Sequence, residues 1–310
     1  MTAGPGRYLP RRAAASRLRR REALSGYLYI LPNFIGFLIF TGIPVVAGLV
    51  ISFTSFNGVN TLKFIGIDNY LKLFKDTNFK TALVNNLWYA FSVVPLTLAV
   101  SLLLALALNR RLLLGGFFKT VFFFPTLTSM VAVGCVALLL FEPNKGPINQ
   151  LLKAITGLPV ESLPKWFFSS KTALGTVVAT VVWKQAGYYM VMFMGGLKNI
   201  PPHLYEAARV DGAGPMRTFF SITWPMLSPT TFMVTILLFI SSFQTFDIIN
   251  VTTEGGPGRA TSVLVFRIYR EAFRDWKMGY ASAIAYFLFM IILIVTLIQW
   301  HGQRNWVSDD

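Results

Sequence analysis

Six apolar runs punctuate the chain, at residues 27–53, 82–108, 120–141, 172–197, 218–246 and 278–300. An α-helix needs about 20 consecutive apolar residues to cross the hydrocarbon core of a bilayer. Each run meets that length, and the polar residues lie mostly between them. The fourth is interrupted by Lys184 alone. The fifth has room for an interfacial turn before its span. The pattern predicts an all-α integral membrane protein with six transmembrane helices. Prolines fall inside several runs: Pro32, Pro44, Pro95, Pro125 and Pro229. Spanning helices accept proline where neighbours satisfy the freed carbonyls. Kinked packing and helices that bend in a transport cycle both fit this pattern.

Composition agrees with the periodicity. Of the 310 residues, 54% are hydrophobic and 13% charged, against about 25% charged in an average soluble domain. Aromatics reach 15% and run through the whole chain, which argues against disorder. The net charge of +15 suits the excess of Lys and Arg that membrane proteins keep in their cytoplasmic loops, and not a nucleic-acid-binding face. Arg7, Arg11, Arg12, Arg17, Arg19, Arg20 and Arg21 precede the first run. They predict a cytoplasmic N-terminus. The first run is about twice the usual apolar length of a signal peptide and no small-x-small cleavage site follows it closely, which predicts a retained first span. With six spans, residues 109–119, residues 198–225 and the C-terminal tail are then cytoplasmic too. Arg110, Arg111 and Lys119 crowd the first of these loops. The lone Cys135 lies in an apolar run, as a small buried hydrophobe would.

The outer segments predict interfacial structure. Tyr70, Leu73 and Phe74 alternate with Lys72 and Lys75, as in a short helix lying on lipid headgroups. Trp166, Phe167, Phe168 and Trp300 stand where an aromatic belt is expected. Residues 198–225 are different. Pro201 and Pro202 can open a helix, and Asp211-Gly212-Ala213-Gly214 breaks it. Pro215 opens a second helix that places Met216, Phe219, Phe220, Thr223 and Trp224 on one side. This predicts two short helices joined by a tight turn on the cytoplasmic surface.

That loop resembles the coupling loop of permease subunits in binding-protein-dependent ABC importers. Glu206-Ala207-Ala208 is followed at the family spacing by Gly212, Ile222 and Pro225, with Trp224 in place of the family leucine. Ile65-Gly66-Ile67-Asp68-Asn69-Tyr70 and Thr253-Glu254-Gly255-Gly256-Pro257 resemble segments of sugar permeases. The likeness runs from about residue 25 to 300. With the arginine-rich N-terminus, it is nearer to the maltose-transporter F-like type. It implies the type I importer transmembrane fold in a prokaryotic plasma membrane. The implied layout is a basic tail over 1–25, a first helix and outer segment over 26–80, a transmembrane domain over 81–301, and a tail over 302–310. The implied partners are a second homologous permease in a heterodimer, two ATPase subunits, an extracellular or periplasmic sugar-binding protein and membrane lipid. No Gly-x-x-x-x-Gly-Lys-Ser/Thr loop is present in the sequence, so ATP and its magnesium belong to the ATPases. Metal, cofactor and catalytic residues are not expected in this chain. The resemblance assigns ATPase coupling to Glu206, Ala207, Ala208, Arg209, Asp211 and Gly212.

Polar residues inside spans are costly unless they are paired or line water. Lys184 and Asp247 lie at depths differing by roughly 13 Å along their helices, too far for a direct ion pair. Lys184 can snorkel, or reach a carbonyl or cavity water. Sugars are held by aromatic faces, amides and hydroxyls. Gln185 and Tyr188, three apart, share a helical face, with Tyr189 beside them. Ser241 and Thr245, four apart, share another, near Gln244 and Asn250. Thr126 and Met130 are also four apart. Positional matching to the maltose-type permease brings Thr126, Met130, Gln185, Tyr188, Ser241 and Thr245 near the family's sugar site. Each can equally pack helices. The competing class is an ion-coupled secondary transporter of small solutes. It would show paired intramembrane acids or broken-helix repeats, and neither is evident in the sequence.

Overall fold

The computed structural model describes residues 11–59, 62–110 and 113–306, with side chains from Glu22 to Gly302 within those ranges. The N-terminal arginines, Arg111 and most of the tail over 302–310 lie outside the described side chains. Among the described residues the fold is helical, with one isolated antiparallel bridge between Thr54 and Phe64. Two compact units are recognised, one ending at Ile51 and one starting at Ser52. The first holds α1 (Arg11–Phe37), a π-turn over Leu38–Gly42 and most of α2 (Ile43–Ser52). Glu22–Ser52 is long and apolar enough to cross a membrane, and none of its most apolar stretch is buried.

The second unit contains α3 (Asp68–Leu73), α4 (Thr77–Leu108), α5 (Gly115–Leu127), α6 (Met130–Leu140) and α7 (Pro147–Thr156). It continues with α8 (Ala173–Asn199), α9 (Pro202–Val210), α10 (Pro215–Thr218), a π-turn over Phe219–Thr223 and α11 (Trp224–Met226). It ends with α12 (Ser228–Phe243), α13 (Asp247–Thr252), α14 (Leu264–Tyr269) and α15 (Met278–Trp306). Among the described residues, three helices are long and apolar enough to cross a membrane, or up to five if each bent pair is one span. The remaining expected span is α8. It is 27 residues long, but Lys184, Gln185, Tyr188 and Tyr189 lower its apolar content.

One run expected to be continuous is broken, and the fifth turns before its span, as its length allowed. Residues 120–141 divide into α5 and α6, which meet at 101°. Thr128 and Ser129 form the corner in extended backbone, and the Ser129 hydroxyl accepts from the Ala132 amide at 3.1 Å. A capping serine offers the backbone this exit from a helix. The fifth run bends by 65° at Leu227, where Pro225 and Pro229 on either side cannot donate to a helical ladder. Broken helices, which sequence reading did not detect, are therefore present.

α4 and α8 form the packed centre of this unit. α4 buries Asn86, Tyr89, Ala90, Val93, Thr97, Ser101 and Ala105 along one face. These are mostly small or polar residues, which let helices approach closely without water. α8 joins two core clusters: Val177, Val178 and Val181 pack with Phe167 and Ile248, and Met190, Phe193 and Leu197 with Leu227 and Leu238. A third cluster joins α4 and α15 through Phe79, Ala82, Tyr280 and Ile284. Cys135 is exposed on α6, contrary to expectation, because α6 turns Val133, Gly134 and Ala137 inward instead.

Gly187 marks the closest approach of α8 to α5. A Cβ there would lie 1.9 Å from the Phe122 carbonyl oxygen and 2.7 Å from its carbon. Backbone cannot retreat as a flexible side chain does. Gly187→Ala is expected to cost about 1–3 kcal/mol, the range for overpacking a core. Gly175→Ala, whose Cβ meets nothing within 4 Å, serves as the control. Thermal unfolding of both variants in mild detergent checks this; equal midpoints would refute the contact.

Candidate functional site

A small cavity of about 120 Å³ opens where five helices meet. α4 contributes Tyr89, α6 its first residue Met130, and α8 Gln185. The end of α12 contributes Ser241 and Ser242, and the link to α13 supplies Gln244, Thr245 and Phe246. Asp247 and Ile248, at the start of α13, complete the lining. Five of the candidate residues thus converge: Met130, Gln185, Ser241, Gln244 and Thr245. The helix breaks bring them together. α12 stops at Phe243 and α13 starts at Asp247, so Thr245 lies in non-helical backbone. Ser241 and Thr245 do not share a helical face as their spacing suggested. Thr126 and Met130 likewise belong to different helices.

Three candidates stand apart from the cavity. The Thr126 hydroxyl donates to the Phe123 carbonyl at 2.6 Å, closing the last turn of α5. Tyr188 is 48% exposed and packs edge-on against Tyr189 with centroids 5.2 Å apart. It is not part of the cavity lining. Tyr189 is buried and does not line the cavity. The sequence reading missed two polar lining residues, Tyr89 and Ser242. Tyr89 is 1% exposed, and its phenol oxygen accepts from Thr245 Oγ1 at 3.3 Å. Ser242 Oγ and Gln185 Oε1 are buried without hydrogen-bond partners. A buried polar atom without a partner is costly, so both suit a ligand or water that supplies donors.

Lys184 sits next to Gln185 but serves the corner of α5. Its ammonium donates to the Thr126 carbonyl at 3.5 Å, one of the carbonyls that the end of a helix leaves without an amide. Among the described residues no ion pair joins Lys184 to Asp247. Asp247 is exposed at the cavity.

The second candidate region is the knob formed by α9 to α11. Gly212 has φ +69°, a left-handed conformation open to glycine. Its added Cβ would meet nothing within 4 Å, so conformation and not space calls for glycine. The Ala213 amide returns to the Ala208 carbonyl at 2.8 Å, and the Gly212 amide to Arg209 at 3.2 Å. The knob is fastened to the spans. Leu204, Tyr205 and Ile222 pack on the cluster around Leu197, Ile200 and Leu227, and Tyr205 and Thr223 join hydroxyls at 3.1 Å. Glu206, Ala207, Arg209, Asp211 and Gly212 are exposed, whereas Ala208 is buried. The alanine pair is therefore divided, with Ala207 facing out and Ala208 facing in. On the second arm the π-turn shifts the helical register. Thr223 is buried while Met216, Phe220 and Trp224 are exposed, so the expected common side is not formed.

Residues 97–305 match the family model of the binding-protein-dependent transport system inner membrane component. The chain belongs to that family. It is 37% identical over 296 residues to the probable ABC transporter permease protein YesP of Bacillus subtilis (strain 168), covering 94% of each chain. The lactose transport system permease protein LacF of Rhizobium radiobacter is 31% identical, with 94% of this chain and 97% of that one covered. A solved bacterial ABC transporter involved in import of the acidic polysaccharide alginate contains a chain of the same fold. The TM-score is 0.82 at 24% identity, and the match covers 94% of this chain and 99% of that one. This protein is accordingly an ABC importer permease, a membrane transport subunit and not an enzyme. The ion-coupled transporter is set aside.

Sequence reading also missed an ionic cluster beside the start of α4. Asp76 caps α4 by accepting from the Asn78 amide at 2.8 Å, receives the Tyr280 hydroxyl at 2.8 Å, and lies 3.5 Å from Arg267. Arg267 also pairs with Glu271, which is 2% exposed and has Lys277 at 3.7 Å. Burial works to raise the Asp76 carboxyl. The Tyr280 and Asn78 hydrogen bonds, Arg267 and the Phe79 amide overcome it and hold it below its ordinary value. A depressed carboxylate stabilises the fold above its unfolded pKa, about 3.9, and that stabilisation is lost as pH falls through the folded value. Asp76→Asn is expected to lower the melting midpoint at pH 7. Its gap from the parent protein should narrow below pH about 4. Melts across that range check this, and a gap independent of pH would refute it.

Proposed function

We propose that the cavity between α4, α8 and α12 is this chain's part of a sugar-binding site on the import path. The reading rests on one observation: amide and hydroxyl groups from separate helices converge there, two of them buried without partners. Transporter sites are often built where helices break near the middle of the bilayer, because the breaks turn backbone and side chains inward. Gln185, Ser241, Ser242, Gln244 and Thr245 supply hydrogen bonds, and Tyr89 and Met130 supply apolar surface. Asp247 is the one Asp, Glu, Lys or Arg among the lining residues. It repels anions, so the site favours a neutral sugar or oligosaccharide. A relative named for lactose transport supports this class. Thr126, Tyr188 and Tyr189 lie outside the lining.

A second homologous permease completes the path, and an extracellular binding protein delivers the sugar. Two ATPase subunits, using ATP and magnesium, receive the α9 knob. Glu206, Arg209 and Asp211 offer polar contacts to the ATPase, Ala207 allows close approach, and Ala208 and Gly212 hold the shape of the knob. Both termini and the knob lie on the cytoplasmic side of a prokaryotic plasma membrane. The tails over 1–25 and 302–310 flank the first helix and outer segment over 26–80 and the transmembrane domain over 81–301.

Two experiments on the reconstituted importer test the reading. Gln185→Ala is expected to weaken apparent affinity for the sugar about fivefold, as the loss of one hydrogen bond of roughly 1 kcal/mol implies. Acidic analogues of a transported neutral sugar should be poor substrates. Unchanged affinity together with equal transport of the acidic analogue would overturn the site. Ala207→Trp, at an exposed position, should abolish co-purification of the ATPases while the permease still reaches the membrane. Full co-purification would overturn the docking role.

A further inference from the structure

A second concavity runs along the outside of α8, and its chemistry changes from one end to the other. Near the start of α8 it is a cleft of about 750 Å³, with Lys171, Asn85, Trp88 and Trp166 on its walls. Deeper along the helix it continues as an almost wholly apolar pocket of about 500 Å³, walled by Val136, Leu140 and Trp183. Phe141 and Ala179 line both, so the two volumes adjoin. The 101° corner between α5 and α6 opens this space, because α6 leaves the direction that α5 took beside α8.

From Ala173, where α8 starts, to Trp183 is ten residues, roughly 15 Å of helix at 1.5 Å per residue. One leaflet of the hydrocarbon core is about 15 Å deep. The groove therefore spans one leaflet, with its polar end at the interface and its apolar end near the midplane. The polar end is also built. Trp166 holds φ +46°, an uncommon conformation for a residue with a side chain. Its indole N–H donates to Asn149 Oδ1 at 2.7 Å, and Asn149 is fully buried. The Thr172 hydroxyl donates to the Trp166 carbonyl at 2.6 Å. Phe141 lies against the ring at 5.0 Å. A tryptophan fixed at interface depth beside a lysine matches the boundary between phosphate and acyl chain.

We propose that this groove holds one anionic phospholipid of the leaflet at the N-terminal end of α8. Its phosphate pairs with Lys171, and one acyl chain runs over Ala179 to Trp183. The lipid covers the surface that the α5–α6 corner leaves open and braces α8 in the orientation that presents Gln185. It occupies a different face from the sugar cavity, and the proposal does not depend on what is transported.

The test uses the assembled importer in nanodiscs containing phosphatidylglycerol that bears a photoreactive diazirine on one acyl chain. Irradiation and peptide mapping should find adducts over residues 132–141 and 179–183. Lys171→Gln should reduce their yield about fivefold, the worth of one lysine at an anionic surface. Ala179→Phe, which fills the joint between the two volumes from an exposed position, should remove them while labelling elsewhere on the protein persists. Adducts unaffected by both variants would mean general contact with surrounding lipid and overturn the proposal. So would their absence from the assembled importer alongside their presence on the isolated chain, since the groove would then be covered by the second permease.

Discussion

Backbone polar groups inside a bilayer have no water to bond, and this constraint governs the architecture. A chain that breaks a helix at membrane depth must satisfy the released amides and carbonyls from its own side chains or neighbours. At the α5–α6 corner, Ser129 takes one amide and Lys184 reaches the Thr126 carbonyl. The hydroxyls of Thr126 and Thr128 close onto the carbonyls of Phe123 and Pro125. These local bonds let α5 and α6 part at a steep angle. That angle in turn places Met130 at the cavity and opens the groove beside α8. One cation within a span thus has a structural duty that leaves Gln185, its neighbour, free for a ligand.

Electrostatics outside the spans follows the same logic. Asp76, Arg267, Glu271 and Tyr280 draw the start of α4 to a distant stretch that holds α14 and the start of α15. Glu271 is buried, and a buried charge is sustained by partners and not by solvent. Nearby, Asn69 bridges the carbonyls of Ser52 and Thr54 at 2.8 and 2.9 Å. Gly279 lies so close to the Thr54 carbonyl that any side chain would collide with it. The start of α15 is thereby seated on the segment that follows the first helix.

Much of this was legible in the sequence. Length and polarity marked the membrane class, and the spacing from Glu206 to Pro225 marked the family. The first helix of the knob and the glycine turn after it appeared as read. What stayed hidden depended on breaks in helices. Hydropathy averages over a window, and residues 120–141 are apolar on both sides of the corner, so a continuous span was expected. Pairs chosen by four-residue spacing then failed wherever a break fell between them, as for Thr126 and Met130. Tyr89 was hidden among apolar neighbours. Its signal was the stripe of Asn86, Ala90, Thr97, Ser101 and Ala105, small or polar residues at helical spacing that mark the packed face of a membrane helix. The ionic cluster could not be read at all, because its members lie up to about two hundred positions apart.

The close contact of Gly187 with Phe122 has a mechanical meaning. α8 is one unbroken rod that carries Gln185 near this contact and ends at the knob. From Gly187 to Ile200 is roughly 20 Å, and from Gly187 to Gln185 roughly 3 Å, at 1.5 Å per residue. If α8 tilts about this point it works as a lever with very unequal arms. Several ångströms of travel at the knob become a fraction of an ångström of displacement at Gln185, with a corresponding gain in force. A fulcrum so near the cavity turns a coarse push into a fine adjustment.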